Sequence, residues 1–457
     1  MRLLMGVETE YAIYGTVRNG QAVDREYVAR RLIDIARERY PVLSDGSDHG
    51  VFLPNGGRLY VDAGNHPELA TPECSDPWET LRYIRAGEML LEEIVREELA
   101  SGQYAELVLL RANVDYTGDT WGSHESYLLR SYDVPVLAEN LVSHLVSRMV
   151  FCGAGGFDPG RVERPFTLSP RAAFLNSPVS IASVNDRPIL HLKDEPECEG
   201  RFHRLHLICG ETLCSDTGTV LRLGTTALIA ALVDLARQPG LAVRLHDPVE
   251  ALRTFAADPF FVASARARDG APLTALGIQR HYLREVSGAV ARGELPDWAS
   301  RLCALWRLTL DRLARDPASL DRTLDWVIKR RLYQQWTRSA NRGRATPVEL
   351  LEADLRFGQI GRPGVFAEMD RRGVLDHAQA SNEEIRRAML TGPAEGRGKL
   401  RSEWIHRLAR ENRLFDDGER FSCGWSGIWD GHRERHVSLG DPFASVAGWS
   451  GAGNPGF

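Results

Sequence analysis

Glu8 and Glu10 stand two residues apart in Gly6-Val7-Glu8-Thr9-Glu10-Tyr11, where apolar and polar residues alternate as in a β-strand. Side chains at i and i+2 of a strand project from one face, which makes the two carboxylates neighbours. Such charges repel unless a cation lies between them, and a hard divalent ion such as Mg²⁺, with phosphate oxygens completing its shell, is the usual solution. A solvated strand face is the alternative reading. A second group follows the turn Asn55-Gly56-Gly57. In Arg58-Leu59-Tyr60-Val61-Asp62 the residues Arg58, Tyr60 and Asp62 share one face, while Leu59 and Val61 take the other. Asn65-His66-Pro67-Glu68 and Thr71-Pro72-Glu73 come next. A guanidinium, a phenol and carboxylates together suit a polyphosphate and a metal, since Arg grips phosphate bidentately and Asp can act as a general base. An Arg58–Asp62 ion pair on a solvated face is the competing reading.

The elements that must position these groups are legible in outline. Residues 3–14 and 58–62 read as strands, and 26–39 as an amphipathic helix with Val28, Leu32 and Ile35 at helical spacing. Asp76-Pro77 reads as an N-cap followed by proline at the first helical position, opening a helix to about Leu99. Further strands are expected over 105–115 and 204–209, and helices over 136–150 and 224–237, the latter starting after Gly224. Residues 244–390 read as mainly helical, most clearly Asp325–Trp336. Gly392-Pro393-Ala394-Glu395-Gly396-Arg397-Gly398 reads as a hinge or mobile loop, and the glycine-rich last fifteen residues as a loosely ordered tail. The class is α+β with interspersed strands, rather than a regular βαβ series.

Composition narrows the function. The chain has 457 residues, 56 Lys+Arg against 62 Asp+Glu, and 43% apolar residues, which describes a folded protein with no general affinity for nucleic acid. No apolar run approaches the ~20 residues of a membrane helix. The N-terminus meets Glu8 too soon for a signal peptide. Seven scattered cysteines without a Cys-x-x-Cys pair indicate reduced thiols in a cytoplasmic protein, with Cys209 and Cys214 as packing residues. There is no Gly-x-x-x-x-Gly-Lys-Ser/Thr loop and no Gly-x-Gly-x-x-Gly following an expected strand. A chain that handles ATP without them must do so through metal and carboxylates on a sheet.

Gly-Val-Glu-Thr-Glu-Tyr from Gly6, and Asn55-Gly56-Gly57-Arg58-Leu59-Tyr60-Val61-Asp62 through Asn65-His66-Pro67-Glu68-Leu69-Ala70-Thr71-Pro72-Glu73-Cys74, closely resemble the Pup ligase and Pup deamidase (depupylase) family. Cys152-Gly153-Ala154-Gly155, Asp194-Glu195-Pro196, Arg204-Leu205-His206-Leu207-Ile208, Leu223-Gly224-Thr225-Thr226 and Leu400-Arg401-Ser402-Glu403 extend the likeness from about residue 4 to beyond 440. The resemblance implies a glutamine-synthetase-like carboxylate–amine ligase: a curved antiparallel sheet cradling ATP, backed by helices over residues 1–387, with a small C-terminal domain over 388–457. It implies Mg²⁺ ligation by Glu8, Tyr60 and Glu68, with Glu10 as a further ligand. It implies nucleotide contacts from Arg58, Thr71 and Trp425, and Asp62 as catalytic base. His206 is a candidate phosphate or metal neighbour, with a structural histidine as the alternative.

The implied reaction is transfer of the ATP γ-phosphate to the C-terminal glutamate side chain of Pup or a Pup-like modifier, then attack by a substrate lysine to form an isopeptide bond. The 17 residues between Tyr40 and Arg58 leave no room for the long loop of the family's amidases, which favours a ligase over a depupylase. Gly210-Glu211-Thr212-Leu213-Cys214-Ser215-Asp216 replaces the family's Gly-Asp-Ser-Asn-Met-Ser-Glu, and His191 stands where the family has Asn. The nucleotide half is intact, whereas the substrate half has drifted. A small-molecule glutamate–amine ligase and a non-catalytic ATP-binding scaffold are the other readings. Lys329, Arg330, Arg331, Arg338, Arg342 and Arg344 form a positive cluster expected either to line a groove for an acidic modifier or to be a solvated helix face.

Overall fold

The computed structural model describes residues 1–115, 117–158, 165–182, 185–198, 200, 202–339, 346–361, 363–377, 381–411, 415–416, 419–431 and 436–450. The chain forms two compact units, each discontinuous in sequence. The first comprises Met1–Met5, Arg111–Asp194 and His203–Ala378, the second Gly6–Leu110, Glu195–Phe202 and Gln379–Phe457.

The second unit is built on a sheet. β1 (Met5–Glu10) and β2 (Ala12–Val17) replace the single strand expected over 3–14, with the buried Tyr11 between them. They are followed by α1 (Arg25–Arg39), β3 (Leu43–Ser44), β4 (Gly50–Phe52), β5 (Arg58–Val61), β6 (Pro67–Ala70), α2 (Pro77–Ala100) and β7 (Tyr104–Leu110). β1, β6, β5, β4 and β3 are neighbours in that order, all antiparallel. Ser44 of β3 then pairs parallel with Ser422, and the antiparallel strands Gly427–Trp429, His436–Ser438 and Trp449–Ser450 complete the row, so the expected antiparallel sheet contains one parallel junction. β2 pairs with β7 separately.

The helices cover the apolar face of this sheet for reasons visible in the chain. In β1 the burial alternates, with Met5, Val7 and Thr9 inward. α1 buries Val28, Ala29, Leu32, Ile33, Ile35 and Ala36, a stripe at helical spacing that packs on β4 and β5. α2 starts as expected, with the Asp76 carboxylate accepting from the backbone N–H of Trp78 (2.8 Å) and Glu79 (2.9 Å). It comes so near β6 that a Cβ on Gly87 would sit 2.4 Å from Leu69 Cδ2, so any larger residue there would have to displace the Leu69 side chain.

The segment 392–398 is pinned rather than hinged. The Gly392 N–H donates to Ser402 Oγ (2.9 Å) and the Ala394 N–H to Glu79 Oε1 (3.0 Å), while Gly396, with φ +78°, opens the helix Gly396–Arg410. A Cβ on Gly56 would lie 2.5 Å from the Gly398 carbonyl oxygen. These glycines allow close approach, where a hinge or mobile loop was expected. Of the expected tail, Trp449–Ser450 is a strand and 451–457 lie outside the described residues.

In the first unit, Ser123–Leu129 pairs antiparallel with His203–Leu207. Helices Val134–Ser147, Met149–Cys152, Ala275–Ala291 and Trp298–Arg315 gather around the helix Asp216–Asp234, with Pro248–Ala256 packed on Val134–Ser147. That helix begins well before Gly224, which is an interior residue: tertiary burial overrides the weak helix propensity of glycine. It is long and apolar enough to cross a membrane, contrary to the expectation that no such run exists, but it is almost wholly buried in its unit and serves as a core helix. Glu125, fully buried, accepts from both Arg148 Nη atoms (2.8 and 2.7 Å) and from the Tyr127 hydroxyl (2.6 Å), an ion pair that anchors the unit's interior. All seven cysteines are free thiols.

Candidate active site

The strand register gathers the sequence-nominated residues onto one sheet face in the second unit. Glu10 lies opposite Glu68, and Glu68 opposite Tyr60; Glu8 lies opposite Ala70, and Ala70 opposite Arg58. Directly paired residues share a face, so Glu8, Glu10, Arg58, Tyr60 and Glu68 all project from the side away from Val7, Leu59 and Leu69. The Tyr60 phenol shares the sheet face with the Glu68 carboxylate directly opposite it. Burial, followed by the charges of Glu8 and Glu68, pushes the Tyr60 phenol well above its usual pKa, so it keeps its proton and offers a neutral oxygen.

Arg58 does not pair with Asp62. Its Nε and Nη2 donate to Asp45 Oδ2 (3.1 and 2.5 Å), and its guanidinium lies 4.1 Å from the Tyr60 ring centre. Asp45, 3% exposed, fits there because residue 50 opposite is glycine; a Cβ on Gly50 would lie 2.0 Å from Asp45 Oδ2. Asp45 was missed in the sequence. Ser44-Asp45-Gly46-Ser47 carries a turn signature, but nothing local says that the carboxylate reaches thirteen residues on to Arg58.

Asp62 follows β5 at the turn into β6 and is held by His66. Its Oδ1 accepts from the His66 backbone N–H (2.6 Å) and its Oδ2 lies 3.3 Å from His66 Nδ1. Burial would raise the Asp62 carboxyl, but the hydrogen bonds from the His66 side chain and backbone outweigh it and hold the pKa below the ordinary value. Glu10, Asp62 and His66 each bring a ligand atom within 4.8 Å of the others.

Thr71 and Trp425 belong to the same unit. Thr71 is buried and its Oγ1 accepts from the Val7 N–H (3.1 Å), tying β1 to the end of β6. Trp425 packs edge-on against Phe52 (5.1 Å between ring centres) with the Arg401 guanidinium 4.8 Å from its ring. Arg401 donates to Glu73 through both Nη atoms (3.0 Å each), and Arg397 Nε donates to Glu73 Oε1 (2.5 Å). Burial opposes the Glu73 charge, yet Arg401 and then Arg397 dominate and lower its pKa to about 2.

His206 lies in the first unit, on the strand His203–Leu207, with the His124 and His191 rings each 5.5 Å away edge-to-face. Of the expected positive cluster, Lys329, Arg330 and Arg331 have described side chains, and each is engaged within its own unit. Lys329 is buried, donates to the Gly155 carbonyl (3.1 Å) and pairs with Asp354 (2.7 Å). Arg331 pairs with Asp321, and Arg330 covers Phe260 at 4.7 Å. The Arg338 side chain, Arg342 and Arg344 lie outside the described residues.

The donor set of the sheet face is three carboxylates and a phenol, all oxygen, which fits a hard divalent cation and not a soft one. A mixed sheet with such a face, an arginine held by a buried carboxylate and an ionised aspartate beside it are the parts an ATP-dependent ligase needs. The chain belongs to the Pup-ligase protein family, whose model matches residues 3–428. It is 32% identical to the Pup–protein ligase of Mycolicibacterium vanbaalenii, covering 97% of both chains. The Pup–protein ligases of Mycolicibacterium smegmatis and Gordonia bronchialis match it at 32% with the same coverage. Among solved structures it is similar to PafA, the Pup ligase, in complex with Pup (TM-score 0.84, 27% identity, 97% of this chain and 90% of that one). PafA in complex with ADP gives 0.76 and 26%, over 93% and 92%.

Proposed function

We propose that this protein is an ATP- and Mg²⁺-dependent ligase that activates the C-terminal glutamate side chain of Pup, or of a Pup-like modifier, and joins it to a lysine of a protein substrate. The observation that carries this reading is the single sheet face bearing Glu8, Glu10 and Glu68 beside Arg58, with Asp62 at its end. Family membership over nearly the whole chain and similarity to PafA with Pup and with ADP support it.

Glu8, Glu10, Tyr60 and Glu68 would hold Mg²⁺. Bound there, Mg²⁺ would offset the charge of the triphosphate. Arg58, fixed along one edge by Asp45, presents the rest of its guanidinium to the transferring phosphoryl group. The γ-phosphoryl moves to the modifier's carboxylate oxygen, leaving ADP and an acyl phosphate. Asp62 then takes a proton from the lysine ammonium, the freed nitrogen lone pair attacks the acyl carbon, and phosphate leaves.

Incubation with Mg-ATP, a peptide ending in glutamate or glutamine and a lysine-bearing acceptor, read by intact mass, tests the proposal. An ATP-dependent isopeptide adduct that disappears in Asp62→Asn is expected. Release of ammonia from the glutamine peptide, or cleavage of a preformed conjugate, would make the chain an amidase instead. Ligation of free glutamate would point to a small-molecule ligase.

A further inference from the structure

The turn between β5 and β6 is shaped around one side-chain contact. Asn65 adopts a left-handed conformation (φ +61°), its N–H donates to the Asp62 carbonyl (3.1 Å), and the Asp62 N–H donates to the His66 carbonyl (3.0 Å). That closure folds the His66 imidazole back over Asp62. Gly64 leaves the space: a Cβ there would lie 2.7 Å from His66 Cε1, 2.8 Å from His66 Nδ1 and 3.2 Å from Asp62 Oδ2. Both Asp62 oxygens are thereby engaged by one residue, Oδ1 by the His66 backbone N–H and Oδ2 by the imidazole. A second constraint is electrostatic. A Glu10 carboxylate oxygen lies within 4.8 Å of the ligand atoms of Asp62 and His66, and two carboxylates so close turn away from each other unless a donor holds them.

We infer that His66 is the positioning residue of the catalytic base: its Nδ1–H and backbone N–H fix the Asp62 carboxylate in the one orientation that receives the lysine proton. The inference rests on the reading of Asp62 as base. It assigns to His66 a role in the lysine step alone, because formation of the acyl phosphate needs no proton from an amine.

Hydroxylamine separates the two steps, since it is already unprotonated at neutral pH and attacks an acyl phosphate without a base. In His66→Ala, ligation to the lysine acceptor is expected to lose about 10- to 100-fold in kcat, the range found when an orienting hydrogen bond is removed. Hydroxamate formation from Mg-ATP, the glutamate peptide and hydroxylamine is expected to stay within about twofold of wild type. His66→Asn, whose side-chain amide N–H occupies the place of Nδ1–H, is expected to recover most of the lysine rate. Gly64→Ala, which keeps His66 but crowds its ring, is expected to show the same split as His66→Ala and covers the case in which the latter fails to fold. Equal losses with both acceptors, or none with either, would overturn the assignment. If Asp62→Asn itself retains lysine ligation, the base reading has failed and the assignment to His66 with it. If Asp62→Asn is inactive toward lysine while His66→Ala is not, only the role of His66 is lost.

Discussion

Replacing Glu73 by glutamine should destabilise the second unit by an amount the structure sets from two directions. Glu73 receives three charge-assisted hydrogen bonds, two from Arg401, which is fully buried, and one from Arg397, 6% exposed. Its pKa of about 2, against an ordinary 4.5, corresponds to about 3 kcal/mol at 1.36 kcal/mol per pH unit. Breaking a buried ion pair from one side independently costs about 3–5 kcal/mol, because the guanidiniums stay behind without their counter-charge. The sign follows from the lowered pKa. The contribution is complete above about pH 4.5 and is lost as pH falls toward 2, so the gap between wild type and Glu73→Gln should shrink to about 1–1.5 kcal/mol at pH 3. Urea unfolding followed by tryptophan fluorescence is a direct assay, since Trp425 lies under Arg401. With an m-value near 3 kcal/mol/M, the midpoint at pH 7 should fall by about 1 M. A shift below about 0.3 M, or a gap that does not change between pH 7 and pH 3, would refute the reasoning.

Three further outcomes follow from named contacts. Gly50→Ala puts a methyl 2.0 Å from Asp45 Oδ2 and must drive the carboxylate off Arg58; about 1–3 kcal/mol of stability and a raised KM for ATP are expected, checked by thermal unfolding and initial rates. Glu125→Gln leaves Arg148 buried without its counter-charge and should cost about 3–5 kcal/mol, read from denaturant midpoints. His377 lies between Asp370 (2.6 Å) and Asp216 (3.4 Å), whose hydrogen bonds raise its pKa from 6.5 to about 10. Its stabilisation is therefore complete below pH 6.5 and lost as pH rises through about 10. Being half exposed, it should contribute no more than about 1 kcal/mol, and unfolding of His377→Ala against wild type from pH 6 to 10 measures it.

Much of the sheet face was legible because strand alternation is a local property. Glu8 and Glu10 share a side whatever β1 pairs with, as do Arg58 and Tyr60 in β5, and the structure kept both pairings of residues. The start of α2 was equally local, since Asp76 and Pro77 act on the first turn alone. Two misreadings share a cause. Helical spacing in Asp325–Ser339 shows that residues align on a face but not which face is covered, so Lys329 was counted as a surface charge when it is buried on Asp354. The glycines of 392–398 mark either mobility or close approach, and only the neighbouring Gly56 and Ser402 decide for the second.

By itself, then, the amino-acid order determined which side chains leave each strand together, where the capped helices begin and which residue types could hold a metal and a phosphate. The tertiary structure decided the pairings across the chain: Glu68 opposite both Glu10 and Tyr60, Arg58 with Asp45 rather than Asp62, Glu73 with arginines more than 300 residues away. Alternation and capping act over two to four residues, within reach of local geometry. An ion-pair partner or a strand register depends on which distant segments close on one another, and that is settled by burial of the apolar faces of the whole unit.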